Sequence, residues 1–141
     1  MRYHFRVHKD PDGIWADCIE LKGCRTQSED GTMDKLVKNM AEVLNLYLDG
    51  NDMDISFPLP DDTISGDDIA AVPVEPAIAF AVLIRNYRLT HHLTQKEMTG
   101  KLGYKNLWSY QRLENPKSNP RLDTVAFIQN VLPDINLTRI F

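Results

Sequence analysis

The stretch TQKEMTGKLGYKNLWSYQRLE, Thr94 to Glu114, reads as two short helices joined by a turn that begins at a glycine. Thr94 stands where an N-cap belongs, and Glu97 three residues on completes a capping box, so TQKEMTGKLG begins as a helix. Gly103 supplies the positive φ that stops it. The next helix, roughly Leu107 to Asn115, turns Tyr110 and Leu113 inward against Met98 and Leu102. Upstream, AIAFAVLIRNYRLTHH is apolar on one face and predicts a preceding helix. Downstream of PKSNP, RLDTVAFIQNVL predicts a closing helix with Leu122, Val125, Ile128 and Leu132 at core spacing. Residues 76–141 are therefore expected to form an all-α domain.

Charge divides along the same line. The chain has 141 residues and a net charge of −4, but residues 1–75 hold seven Lys and Arg against sixteen Asp and Glu, and residues 76–141 hold nine against four. Opposite signs in the two parts favour two domains with different partners. The basic part is suited to phosphates and the acidic part to a positively charged partner. A hydrophobic share of 43% with 26% charged residues is globular composition and argues against disorder. No run approaches the roughly 18 to 20 apolar residues of a membrane span, and MRYHFRVHKD alternates instead of joining a charged head to an apolar block. A cytoplasmic protein without membrane contact is expected.

In the acidic part, RYHFRVH places Tyr3, Phe5 and Val7 on one face and Arg2, His4, Arg6 and His8 on the other, which is strand periodicity. KDPDG is turn chemistry, IWADCIEL is rich in β-formers, and a hairpin follows. CRTQSE can form a third strand. From Thr32, a capping residue, Met33, Leu36, Val37, Met40, Val43, Leu44, Tyr47 and Leu48 fall at helical spacing, with Gly50 just past the end. Between Asn51 and Pro76 the chain holds four prolines and many aspartates, with two apolar runs, ISF and IAAVPV. It reads as a connector with one or two short strands, the first near Asp54 to Phe57.

Little here carries chemistry. Asp10, Asp12, Asp17 and Glu20 on or beside the hairpin could hold magnesium ions for phosphodiester cleavage. Asp10 and Asp12 flank a turn that favours Asp for local hydrogen bonds, however, and the acidic density makes chance proximity common. Cys18 and Cys24 lack C-x-x-C spacing and, with His4, His8, His91 and His92, show no local ligand pattern. The polar strand face with His4 and His8 is expected to be solvated or to meet a protein. The sequence assigns no catalytic residue, metal or cofactor.

The run DGIWADCIELKGCRTQSEDGTMDKLVKNMAEVLNLYLD resembles the N-terminal domain of the HicB-type antitoxins. Gly13, Trp15, Gly23, Cys24, Thr26, Gln27 and Leu36 stand where that pattern puts them, and Lys22 stands where it often has proline. The resemblance implies a partial ribonuclease H-like α+β fold, β-β-β-α-β, over residues 1–58, without a catalytic role. Its implied partner is a HicA-type toxin, a small basic mRNA-cleaving protein that it would bind and mask. A linker with a short strand at 59–75 would then lead to the helical domain.

That second part, IRNYRLTHHLTQKEMTGKLG followed by YQRLENPKSNPRLDTV, resembles the Xre/Cro-type helix-turn-helix. The resemblance implies operator DNA as a second partner. Gln95, at a helix N-terminus, takes the place of a phosphate-binding glutamine. Leu107, Trp108, Ser109 and Arg112 would face the major groove, with Arg112 reading guanine through O6 and N7, and Lys105 and Lys117 would meet the backbone. Two-fold DNA reading implies a homodimer or tetramer. Ile135, Leu137, Ile140 and Phe141 of the tail are expected at a dimer seam. The combined expectation is an antitoxin that masks its toxin and represses its own operon. The alternatives are a free-standing regulator with an N-terminal sensing or interaction domain, and a metal-dependent ribonuclease built on Asp10, Asp12 and Asp17.

Overall fold

The alternating first segment does form a strand, β1 (Arg2–Asp10), and the KDPDG turn returns it as β2 (Gly13–Cys18), with Asp10 paired opposite Gly13. Asp10 accepts the Asp12 amide across this turn at 3.0 Å. Gly13 adopts φ 140°, an angle at which a side chain is strained. In the computed structural model, which describes residues 1–50 and 54–141, the architecture is α+β: a four-stranded antiparallel sheet and five α-helices. The first residues of the expected connector, 51–53, lie outside the described residues.

β3 (Arg25–Gln27) is shorter than CRTQSE suggested, and it pairs with β2. Its end passes into the cap of α1 (Met33–Leu48). There Asp30 accepts from Thr32 and Ser28, and Thr32 accepts from the Lys35 amide at 3.2 Å. Those Thr32 bonds hold the Asp30 carboxyl below its ordinary range. Leu36, Met40, Leu44 and Leu48 form the buried stripe of α1 at strict four-residue spacing. Burial of each is worth roughly 2 kcal/mol. Met33 and Val37, expected on that face, are exposed because they lie one step round the helix from the stripe.

The fourth strand lies elsewhere than near Asp54. Residues 54–57 form no strand, whereas β4 (Ile69–Pro73) pairs with β1 and completes the order β3-β2-β1-β4. The apolar run IAAVPV thus becomes sheet, with Val72 opposite the buried Tyr3. The strand can end in Pro73 because β4 is an edge strand.

Alternation on β1 also fails at one place. His4, on the expected polar face, is buried at 7% exposure, because Glu20 folds over it. The Glu20 carboxylate accepts the His4 amide at 2.8 Å and lies 2.7 Å from His4 Nδ1, and it also accepts the Asp61 amide at 3.2 Å.

Among the described residues the chain divides into two compact units, residues 1–50 with 58–74 and residues 54–57 with 75–141. The first holds the sheet and α1. The second holds α2 (Pro76–Thr90), α3 (Gln95–Lys101), α4 (Leu107–Gln111) continued by a 3-10 turn (Arg112–Glu114), α5 (Leu122–Val131) and a 3-10 turn at Leu137–Ile140. Ile128 and Leu132 are buried as their spacing requires, but Leu122, in the first turn of α5, is 82% exposed. The tail differs from the expected dimer seam. Ile135, Leu137 and Ile140 are buried in their own unit, where Gln129 clamps the Ile135 carbonyl and the Leu137 amide, and only Phe141 remains outside. Tyr87 and His91 hold the same segment through Asp134, at 3.0 and 2.9 Å. Among the described residues, no helix is long and apolar enough to cross a membrane.

Candidate nucleic-acid interface

The helical unit places α4 through a buried charge cluster. Glu114 has no exposed surface, and its carboxylate takes two hydrogen bonds from Arg88, from Nε at 2.6 Å and Nη2 at 3.1 Å. Arg85 Nη2 reaches the Glu114 carbonyl at 3.3 Å, and the Tyr110 hydroxyl donates to the same carboxylate. Burial works against the Arg88 charge, but the bonded Glu114 outweighs it and holds that guanidinium above its ordinary value. Burial also pushes the Tyr110 phenol up, with the adjacent Glu114 charge acting in the same direction. The cluster ties α4 and the 3-10 turn that continues it to the C-terminal half of α2.

Capping then fixes the two helices locally. Thr94 Oγ1 accepts the Glu97 amide at 3.0 Å and Glu97 accepts the Thr94 amide at 3.1 Å, completing the reciprocal box. Asn106 begins α4, accepting the Ser109 amide at 2.9 Å and the Ser109 hydroxyl at 3.0 Å. Between the helices Gly103 sits at φ 75°.

With the helices fixed, the named residues fall into distinct roles. Gln95 opens α3, and its side-chain oxygen accepts from Gln111 of α4 at 3.1 Å, so two amides join the helices at the surface. Lys105, Leu107 and Trp108 are exposed in sequence, and Trp108 keeps 65% of its surface. Arg112 is exposed too, and its guanidinium carbon lies 5.1 Å from the centre of the Trp108 ring. Ser109 is half-buried, with its hydroxyl committed to Asn106. Lys117 is exposed in the turn held by Asn115, beyond the 3-10 turn and not at the end of α4. Neither Lys105 nor Lys117 makes an ion pair among the described residues.

Three residues that the sequence reading passed over belong to this surface. Gln111 pairs with Gln95, Asn106 caps α4, and Arg121 shares a cavity of about 300 Å3 with Tyr104, Ser109, Arg112, Ser118 and Thr124. Two arginines and several hydroxyl-bearing side chains line it, and Arg121 Nη2 lies 3.3 Å from the Asp123 carboxylate. Asn106 was findable from its Asn-x-x-Ser spacing, whereas the cavity depends on Arg121 and Thr124 coming next to Tyr104 and Ser109.

The carboxylates of the hairpin are dispersed by comparison. Asp10 Oδ2 takes the Trp15 indole N–H at 3.1 Å, and Asp17 lies 2.6 Å from His8 Nε2. His8 and Trp15, opposite each other on β1 and β2, are stacked at 4.0 Å. Among the described residues, no three His, Cys, Asp or Glu side chains are gathered as a metal ion would need. Cys18 and Cys24 are both buried as free thiols. The chain matches no known protein family, and no curated protein matches it.

Proposed function

We propose that the chain is a HicB-type antitoxin that masks a HicA-type mRNA-cleaving toxin and represses its own operon by binding operator DNA. The observation that carries the DNA half is the exposed Arg112 guanidinium on a rigidly anchored turn, close in sequence to Lys105, Trp108 and Lys117. Two short capped helices, with Gln95 at the start of α3 and Arg112 just past the end of α4, support a helix-turn-helix reading of this segment. The excess of nine basic over four acidic residues in 76–141 supports phosphate contact. The opposite excess in 1–75 supports a basic protein partner there, in a non-catalytic role. Asp10 and Asp17 are each bonded to a separate neighbour of the hairpin, which supports a structural reading of these carboxylates.

The test is DNA binding across salt concentrations. Arg112→Ala should cost roughly 1 to 3 kcal/mol on the preferred sequence and relax discrimination at one base pair. Lys105→Ala should weaken all sequences alike and reduce the salt slope by about 1. A salt slope unchanged in both variants contradicts this docking.

A further inference from the structure

Trp108 is the exposed aromatic of α4, and no hydrogen bond joins its indole N–H to another described residue. Leu122 and Phe141 of the same unit are exposed as well, so it is the company of Trp108 and not its exposure that is informative. Arg112 lies four residues on, so the two side chains meet along one face of the turn, with the guanidinium over the indole ring at 5.1 Å. The backbone under Arg112 is already held, because Leu113 and Glu114, the next two residues, are buried. The long arginine side chain itself is exposed, and the stack covers one face of it. A guanidinium recognises guanine with its edge and stacks with its face, so both contacts can be made at once. No hydrogen bond or ion pair engages the Arg112 edge among the described residues.

We propose that Trp108 is a positioning residue for DNA specificity, which stacks on Arg112 and holds its donor edge ready for one guanine, instead of contacting a base itself. The inference rests on the DNA-reading role proposed above. Pre-ordering the side chain removes part of the entropy lost on binding and applies only to sequences that Arg112 can read.

The experiment begins with selection of a preferred duplex by the wild-type full chain from a pool of random sequences. Affinities are then measured for that duplex and all its single base-pair variants, with wild type, Trp108→Ala, Trp108→Phe, Arg112→Ala and the Trp108→Ala/Arg112→Ala double variant. Trp108→Ala should bind the preferred duplex about 5-fold more weakly, the scale of a lost exposed cation–π contact. The loss should fall on the base pair that Arg112→Ala also ceases to discriminate. Trp108→Phe should recover most of it, and the double variant should match Arg112→Ala alone. Additive losses, or a Trp108 effect at a different base pair, would mean direct base contact and overturn the positioning role. An unchanged Trp108→Ala profile would overturn it too. Failure of the wild type to enrich any sequence would instead remove the DNA-reading role beneath it. Thermal unfolding of Trp108→Ala at the wild-type temperature separates these results from misfolding.

Discussion

Glu114 shows how one side chain can decide where a surface helix sits. It is fully buried, bonded by Arg88 and Tyr110 and flanked by Arg85, so removing it would leave two arginines without their counter-charge. Glu114→Ala should therefore lose about 3 to 5 kcal/mol in chemical denaturation, the range for breaking a buried pair from one side. A second residue-scale test concerns pH. Hydrogen bonds from His91 and then Tyr87 hold Asp134 below its ordinary 3.8. The stability from this depressed carboxyl is complete above 3.8 and is lost as pH falls through the lower folded value. Denaturation at neutral pH and near pH 3 should show a smaller acid loss in Asp134→Asn than in wild type. Equal losses would mean that the tie to the tail carries no pH dependence.

At the scale of elements, α3 is short enough for its ends to matter. Thr94→Ala removes the hydroxyl that accepts the Glu97 amide, leaves the backbone N–H that Glu97 accepts, and should cost about 1 kcal/mol. Gly103→Ala places a side chain at φ 75°, where no atom lies within 4 Å of the added methyl, so any cost is backbone strain of about 1 kcal/mol. Urea midpoints of both variants check the pair, and a neutral Gly103→Ala would mean that the turn relaxes. These two features were legible in the sequence because they are local: cap, box and stop lie within ten residues. The hairpin turn and the start of α1 were legible for the same reason. The fourth strand was harder to place, since ISF and IAAVPV are both short apolar runs in a Pro- and Asp-rich stretch. Pairing with β1, 60 or more residues away in sequence, decides in favour of 69–73. The burial of His4 is not legible for the same reason, because alternation along β1 carries no information about Glu20 closing over it.

At the scale of the molecule, the candidate DNA surface was legible as a set of residue types and less so as geometry. Arg112, Trp108 and Lys105 are exposed as the sequence suggested, but Ser109 proves to be occupied by Asn106, and Arg121, the residue that caps α5, lines the same cavity as Arg112. Those differences arise from side-chain pairing and from the placement of later residues beside the cavity, neither of which a linear pattern records. The opposed charges of the two parts of the chain are a property of the whole, and they make the account's main claim: a basic part for nucleic acid and an acidic part for a basic protein. The most direct measurement is purification of the tagged full chain from its native locus, with every associated polypeptide identified by intact mass. The account predicts a stoichiometric small basic polypeptide that cleaves mRNA once freed from the chain. Recovery of the chain alone, or with DNA only, would contradict the antitoxin role.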